Sequence, residues 1–207
     1  PSWWKDAQGN MVQPFTLITA ADIEAGIYVP RDPAQLKRSL EYARALEKTG
    51  KYMLYIWPEH CIIGTWGHGI QENLANAFSE WQRKEYAMID YVTKGTNPYT
   101  EHYGGLLAEV PDPTDSSTQL NTGLIETLQS ADVILIAGEA LSHCVKETID
   151  QIVDNIGVDH VAKIQILTDA TSPVPKNPDS PDFPAIAQQW LVDIQKRGVQ
   201  VTTTETF

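Results

Sequence analysis

Residues 133–144 read Val133-Ile134-Leu135-Ile136-Ala137-Gly138-Glu139-Ala140-Leu141-Ser142-His143-Cys144, and this stretch decides the fold. Five apolar residues, rich in branched side chains and ended by Gly138, are too short for a helix and read as a buried strand. Over 141–156 the period changes: Val145, Ile149, Ile152 and Ile156 fall on one helical face. The alternation continues downstream, with a strand over Lys163–Leu167, a Pro-rich loop over 172–182, a helix over 183–197 and a last strand over Val199–Thr202. Parallel neighbours need crossover connections, so strands alternating with helices predict an α/β fold. The expected architecture is an open parallel sheet with helices on both faces, a Rossmann-type three-layer arrangement.

Upstream the same signals recur. A helix is expected over Gln119–Ser130, a long loop over 97–118, a strand over Ala87–Val92 and a helix over 69–84. The run Tyr52-Met53-Leu54-Tyr55-Ile56-Trp57, stopped by Pro58, predicts another buried strand. Before it, Asp32 caps a helix that Pro33 opens and Gly50 closes, with Leu36, Leu40 and Ala43 on one face. The first 30 residues read as loop around one short helix, capped by Thr19 and stopped at Gly26. No internal repeat or low-complexity tract interrupts the chain, which predicts one domain over 1–207.

Composition narrows the function. The 207 residues are 42% hydrophobic and 20% charged, a globular balance. The net charge of −12, with no Lys/Arg cluster, argues against nucleic acid or an anionic membrane as partner. No apolar run approaches the roughly 18 residues of a membrane span, so a soluble, cytoplasmic protein is expected. Two cysteines, Cys61 and Cys144, suit reduced thiols with chemistry better than a bridge.

In such sheets ligands bind beyond the carboxyl ends of the strands. Cys144 sits there, in the first turn of the helix after the strongest strand. Free N–H groups and the helix dipole favour a thiolate at that place and can hold an oxyanion; a small buried apolar residue is the other reading. Lys94, at the end of a strand, can stabilise a neighbouring anion or be merely solvated. His60, held by Pro58, suits a metal ligand or a hydrogen-bonded loop histidine. Trp57 beside it can stack on an aromatic substrate or fill core.

Together these segments resemble the isochorismatase-like cysteine hydrolases, and within them the nicotinamidases. The family's Trp-Pro-x-His-Cys followed by Gly-Thr-x-Gly is matched by Trp57-Pro58-Glu59-His60-Cys61 and Gly64-Thr65-Trp66-Gly67. Its Lys-Gly segment resembles Lys94-Gly95 through Tyr103. Its nucleophile segment resembles Gly138-Glu139-Ala140 through Cys144-Val145-Lys146, and its Asp-Ala resembles Asp169-Ala170. The resemblance implies Cys144 as nucleophile and Lys94 as its catalytic partner. It further implies Ala140 and Cys144 N–H groups as the oxyanion hole, Trp57 and Tyr103 around the substrate ring, and His60 as ligand to a divalent metal, zinc or another. A small carboxamide such as nicotinamide would be deamidated in NAD salvage, with no macromolecular partner and homo-oligomerisation left open. Alternatives are a related amidase for ureido or acyclic amides, and an inert binding homologue.

Two departures accompany the likeness. No histidine precedes His60, so the family's Asp-x-His pair is not in the sequence, and Asp6, Asp22 and Asp32 do not match its catalytic aspartate. A leading strand–helix–strand of roughly 30 residues or more would supply them. Around the nucleophile, Glu139, Leu141 and His143 replace the family's usual residues. The resemblance also implies a cis bond at Glu139–Ala140, with the Glu139 carboxylate turned from the sulfur toward a basic partner or solvent.

Overall fold

Short polar side chains set the ends of the helices in the first half of the chain. The computed structural model describes residues 2–178 and 181–207; contacts divide it into two units, Pro1–Val92 and Thr93–Phe207. In the first, strands β1 (Trp4–Asp6) and β2 (Leu17–Ile18) precede helix α1 (Ala20–Glu24). The Thr19 hydroxyl accepts from the Asp22 N–H at 3.1 Å, and the Asp22 carboxylate accepts from the Thr19 N–H at 2.9 Å, a reciprocal capping box. Strand β3 (Tyr28–Pro30) follows, then a 3-10 turn capped by Asp32, and helix α2 (Leu36–Thr49). Gly50 ends α2 at φ 66°, a left-handed position that suits glycine. Strand β4 (Leu54–Tyr55) and helix α3 (Glu72–Glu85) complete the unit.

Three expectations for this region are corrected. The first 30 residues contain three short strands beside the expected helix, β1 pairing antiparallel with β3. The strand expected over 52–57 shrinks to two residues, which pair antiparallel with Leu17–Ile18. Burial of Leu54 and Ile56 is as the apolar run implies; the pairing is not. Residues 87–92 form no strand: Met88 and Tyr91 are exposed, and no described segment pairs with them. Apolar character proposes a strand, but only a neighbouring backbone satisfies its N–H and C=O groups.

The second unit follows the sequence closely. After the long loop, Asn121 caps helix α4 (Thr122–Ser130). Then come β5 (Ile134–Glu139), α5 (Cys144–Asn155), β6 (Ile164–Ser172), α6 (Phe183–Lys196) and β7 (Gln200–Thr202). All three strands are parallel, in the order β5-β6-β7, with Ile134 beside Ile164, Ile136 beside Ile166, and Ile166 beside Val201. Residues 179 and 180 of the loop expected over 172–182 lie outside the described residues.

The paired isoleucines form one face of the sheet, and their core includes Val145, Ile149, Ile152 and Ile156 of α5 with Ala187, Trp190, Leu191 and Ile194 of α6. Two right-handed crossovers stepping the same way bring both helices to that face. The alternate residues Val133 and Leu135 are 52% and 40% exposed. The run 133–137, expected to be buried throughout, is thus buried on one face only.

Candidate active site

Beyond Ile136 the pairing of β5 with β6 slips by a bulge, and Gly138, at φ 124°, comes to lie beside Thr171. A positive φ of that size suits only glycine. The next peptide bond, Glu139–Ala140, is cis, as the resemblance implied. The Glu139 carboxylate accepts from the Ser172 N–H at 3.3 Å and from its hydroxyl at 3.0 and 3.1 Å. Glu139 is exposed, so of the two expected surroundings it meets solvent, with Ser172 rather than a basic group as its bonded partner.

The chain then turns into α5. The Ala140 carbonyl accepts from the His143 and Val145 N–H groups at 3.0 and 3.1 Å. Cys144 is the first residue of the helix and half-buried. Neither its N–H nor that of Ala140 has a hydrogen-bond partner among the described residues. An unspent N–H at the start of a helix is a donor directed at anions.

Lys94 reaches this turn from the start of the same unit. Its Nζ lies 3.7 Å from Cys144 Sγ and donates to the His102 carbonyl at 2.6 Å. No described carboxylate forms an ion pair with it. The sulfur and the His102 carbonyl are thus the described groups that the ammonium meets at this turn.

Two histidines flank the pair, and both stay neutral. His102 Nδ1 accepts from the Gly95 N–H at 3.2 Å, leaving the proton on Nε2. Burial, and then the Lys94 charge, lower its pKa. His143 is 8% exposed. Burial first, and Lys146 second, push its pKa down to about 4. The Ser142 hydroxyl accepts from the Val174 N–H at 3.0 Å and shares a hydrogen bond of 2.8 Å with His143 Nδ1. The imidazole packs edge-on against Phe183 at 4.6 Å and lies 6.0 Å from Tyr103. Tyr103 itself is 8% exposed.

The structure thus brings Cys144, Lys94 and Ala140 to one strand end, with Tyr103 beside the adjoining His143. Trp57 and His60 belong to the first unit. Trp57 packs against Tyr55 at 5.0 Å and Phe15 at 6.2 Å. His60 is exposed, and its Nδ1 donates to the Pro58 carbonyl at 2.7 Å, which leaves the Nε2 lone pair for a ligand. One imidazole does not make a site for a divalent ion, and no group of three His, Cys, Asp or Glu among the described residues can hold one. Asp169 instead accepts from the Thr204 N–H and hydroxyl, which lower its pKa.

No family model matches the chain, and no curated protein does. Solved structures do. The yeast nicotinamidase Pnc1p, bound to the inhibitor nicotinaldehyde, is 20% identical over 74% of this chain and 61% of its own, with a TM-score of 0.51. A nicotinamidase/pyrazinamidase of Acinetobacter baumanii is 18% identical over 97% of this chain and 70% of its own, at 0.52. The fold is that of the nicotinamidases. A pyrazinamidase of Pyrococcus horikoshii in complex with zinc covers 84% of this chain at a TM-score of 0.42 and 18% identity. The chain spans less than two thirds of the length of the yeast protein.

Within this nicotinamidase fold, sequence reasoning left four residues of the site unassigned, among them His102, whose polar loop setting gave no role. His143 carried only its position beside Cys144. Thr148 and Gln151, mid-helix polar residues, gave no signal separating them from a solvated face. Yet Gln151 is buried, and both side chains bond to the loop that follows Lys94.

Proposed function

We propose that this protein is a cysteine amidohydrolase that converts a small aromatic carboxamide, nicotinamide or a close analogue, to its acid and ammonia. The observation that carries the reading is the Lys94 ammonium 3.7 Å from a thiol at a helix N-terminus, with no described carboxylate competing for it.

The Cys144 thiolate attacks the carboxamide carbon, forming a C–S bond as the C=O pair moves onto oxygen. The N–H groups of Ala140 and Cys144 would receive that oxyanion; removal of one such donor typically costs about 10²–10³ in rate. Collapse breaks the C–N bond, and the departing nitrogen takes up the proton that the thiol gave up. Water then cleaves the thioester and returns the thiol. Lys94 stabilises the sulfur's negative charge at both ends of the cycle. Neutral His143 and Tyr103 offer aromatic surface beside the site, and Trp57 is the further aromatic residue assigned to the ring. His60 would be one ligand to a divalent ion, but no group of three His, Cys, Asp or Glu among the described residues could hold one. The family's catalytic aspartate has no counterpart in residues 1–207.

Ammonia release from nicotinamide, pyrazinamide, a ureido compound and an acyclic amide, compared between wild type and Cys144→Ala, tests the reading. Turnover of the aromatic amides that Cys144→Ala abolishes is the expected result. Turnover of the ureido or acyclic compound alone would reassign the substrate, and no turnover of any would favour a binding homologue.

A further inference from the structure

We infer that Thr148 and Gln151 form a clamp that positions the Lys94 ammonium against the Cys144 sulfur, acting through the loop of residues 102–107. The inference rests on reading Cys144 and Lys94 as the reacting pair.

Cys144, Thr148 and Gln151 stand at i, i+4 and i+7 on α5, so they form one stripe along the helix. The Thr148 hydroxyl donates to the Cys144 carbonyl at 2.7 Å and accepts from the Gly105 N–H at 3.0 Å. One turn on, Gln151 Oε1 accepts from both the Leu106 and Leu107 N–H groups at 3.1 Å, and its Nε2 donates to the Leu107 carbonyl at 2.8 Å. A buried primary amide that fills both lone pairs of its oxygen with consecutive backbone N–H groups stands in for a missing strand neighbour. Its other end holds the lysine: the loop enters at His102, whose carbonyl accepts from Lys94 Nζ at 2.6 Å.

Gly104 supplies a second, independent mark. A Cβ built there would lie 2.1 Å from Gln151 Oε1 and 2.3 Å from its Cδ. The loop therefore presses directly on the amide, and the close approach needs a residue without a side chain. Four consecutive residues, Gly104–Leu107, are fitted to two side chains of the nucleophile's own helix. Cys144 and Lys94 thus share one rigid frame: the helix carries the sulfur, and the clamped loop carries the carbonyl that orients the ammonium. Thr148 and Gln151 touch neither reacting group's functional atom, so they are positioning residues.

The test is the pH dependence of Cys144 alkylation by iodoacetamide in the full chain, read by peptide mass mapping to separate it from exposed Cys61. Lys94→Met should slow Cys144 alkylation on the acid side of the profile about tenfold. Thr148→Val and Gly104→Ala should slow it there by a smaller factor, Thr148→Ser should restore it, and adding Lys94→Met to either should slow it no further than Lys94→Met alone. Thermal midpoints are taken in parallel. If Thr148→Val and Gly104→Ala lower the thermal midpoint but leave the alkylation profile at the wild-type position, the clamp is structural only and the inference is overturned. A profile unmoved by Lys94→Met would instead reject the Cys144–Lys94 pair, and the clamp with it.

Discussion

Acidification should destabilise this protein through His143 before most of its carboxylates are protonated. In the native state the ring is buried between Tyr103 and Phe183, Nδ1 shares a hydrogen bond with the Ser142 hydroxyl, and Lys146 adds a like charge nearby. Protonation would leave a charged ring stripped of solvent in a buried site and place a second cation near Lys146. The native pKa of about 4 therefore lies below the ordinary histidine value of 6.5. The sign follows: above pH 6.5 both states are neutral and the histidine costs nothing. As the pH falls toward 4 the unfolded chain binds a proton that the native state refuses, and stability is lost. Between pH 7 and pH 5 the loss comes to on the order of 2 kcal/mol, less whatever solvent screens. For a chain of this size that is roughly 4–8 °C in Tm. Thermal unfolding of wild type and His143→Gln at both pH values measures it, since titration of every other group is common to the two. His143→Gln should lose less Tm than wild type on moving from pH 7 to pH 5. An equal loss in the two proteins would refute the account of the buried neutral ring.

The remaining expectations concern the core and the metal. Ile149 is fully buried where α5 meets the sheet; Ile149→Ala should cost about 2–5 kcal/mol in chemical denaturation, and a cost under about 1 kcal/mol would mean that α5 is not docked as described. Equilibrated with zinc and desalted, the chain should retain well under one ion per molecule, because a lone imidazole does not hold a divalent ion. Stoichiometric zinc that disappears in His60→Ala would show that further donors converge on His60.

The legible part of the fold is the part written in local chemistry. Thr19, Asp32 with Pro33, and Gly50 each announce an end by a mechanism that needs no distant partner; Thr19 and Gly50 stand where expected, while Asp32 caps a 3-10 turn and α2 itself begins at Leu36. The period change at Gly138 announces the turn from β5 into α5, and hence the placement of Cys144. What local chemistry does not specify is the partner. The apolar run 87–92 has the composition of a strand and no neighbour among the described residues, while Leu54–Tyr55 found an antiparallel partner in a segment read as loop. Leu135 shows the same limit in the sheet, apolar in sequence and 40% exposed on the face away from α5 and α6. In the site, Cys144 was legible as a reactive type beyond a strand end, and Lys94 as a cation, though the strand expected to carry Lys94 does not form. The bonds from Thr148 and Gln151 to residues more than 40 positions earlier were not, since nothing about a threonine or glutamine in mid-helix distinguishes a loop from water as its partner.

The account stands most directly on whether Cys144 becomes acylated. Full-length protein mixed with nicotinamide, quenched in acid within a turnover and digested, should give a Cys144 peptide heavier by the acyl group of the substrate, a thioester removed by hydroxylamine. Cys144→Ser should show no thioester, and Lys94→Met should accumulate less adduct than wild type. Ammonia released at the wild-type rate by Cys144→Ser, or an acyl group found on any residue other than Cys144, would contradict the account.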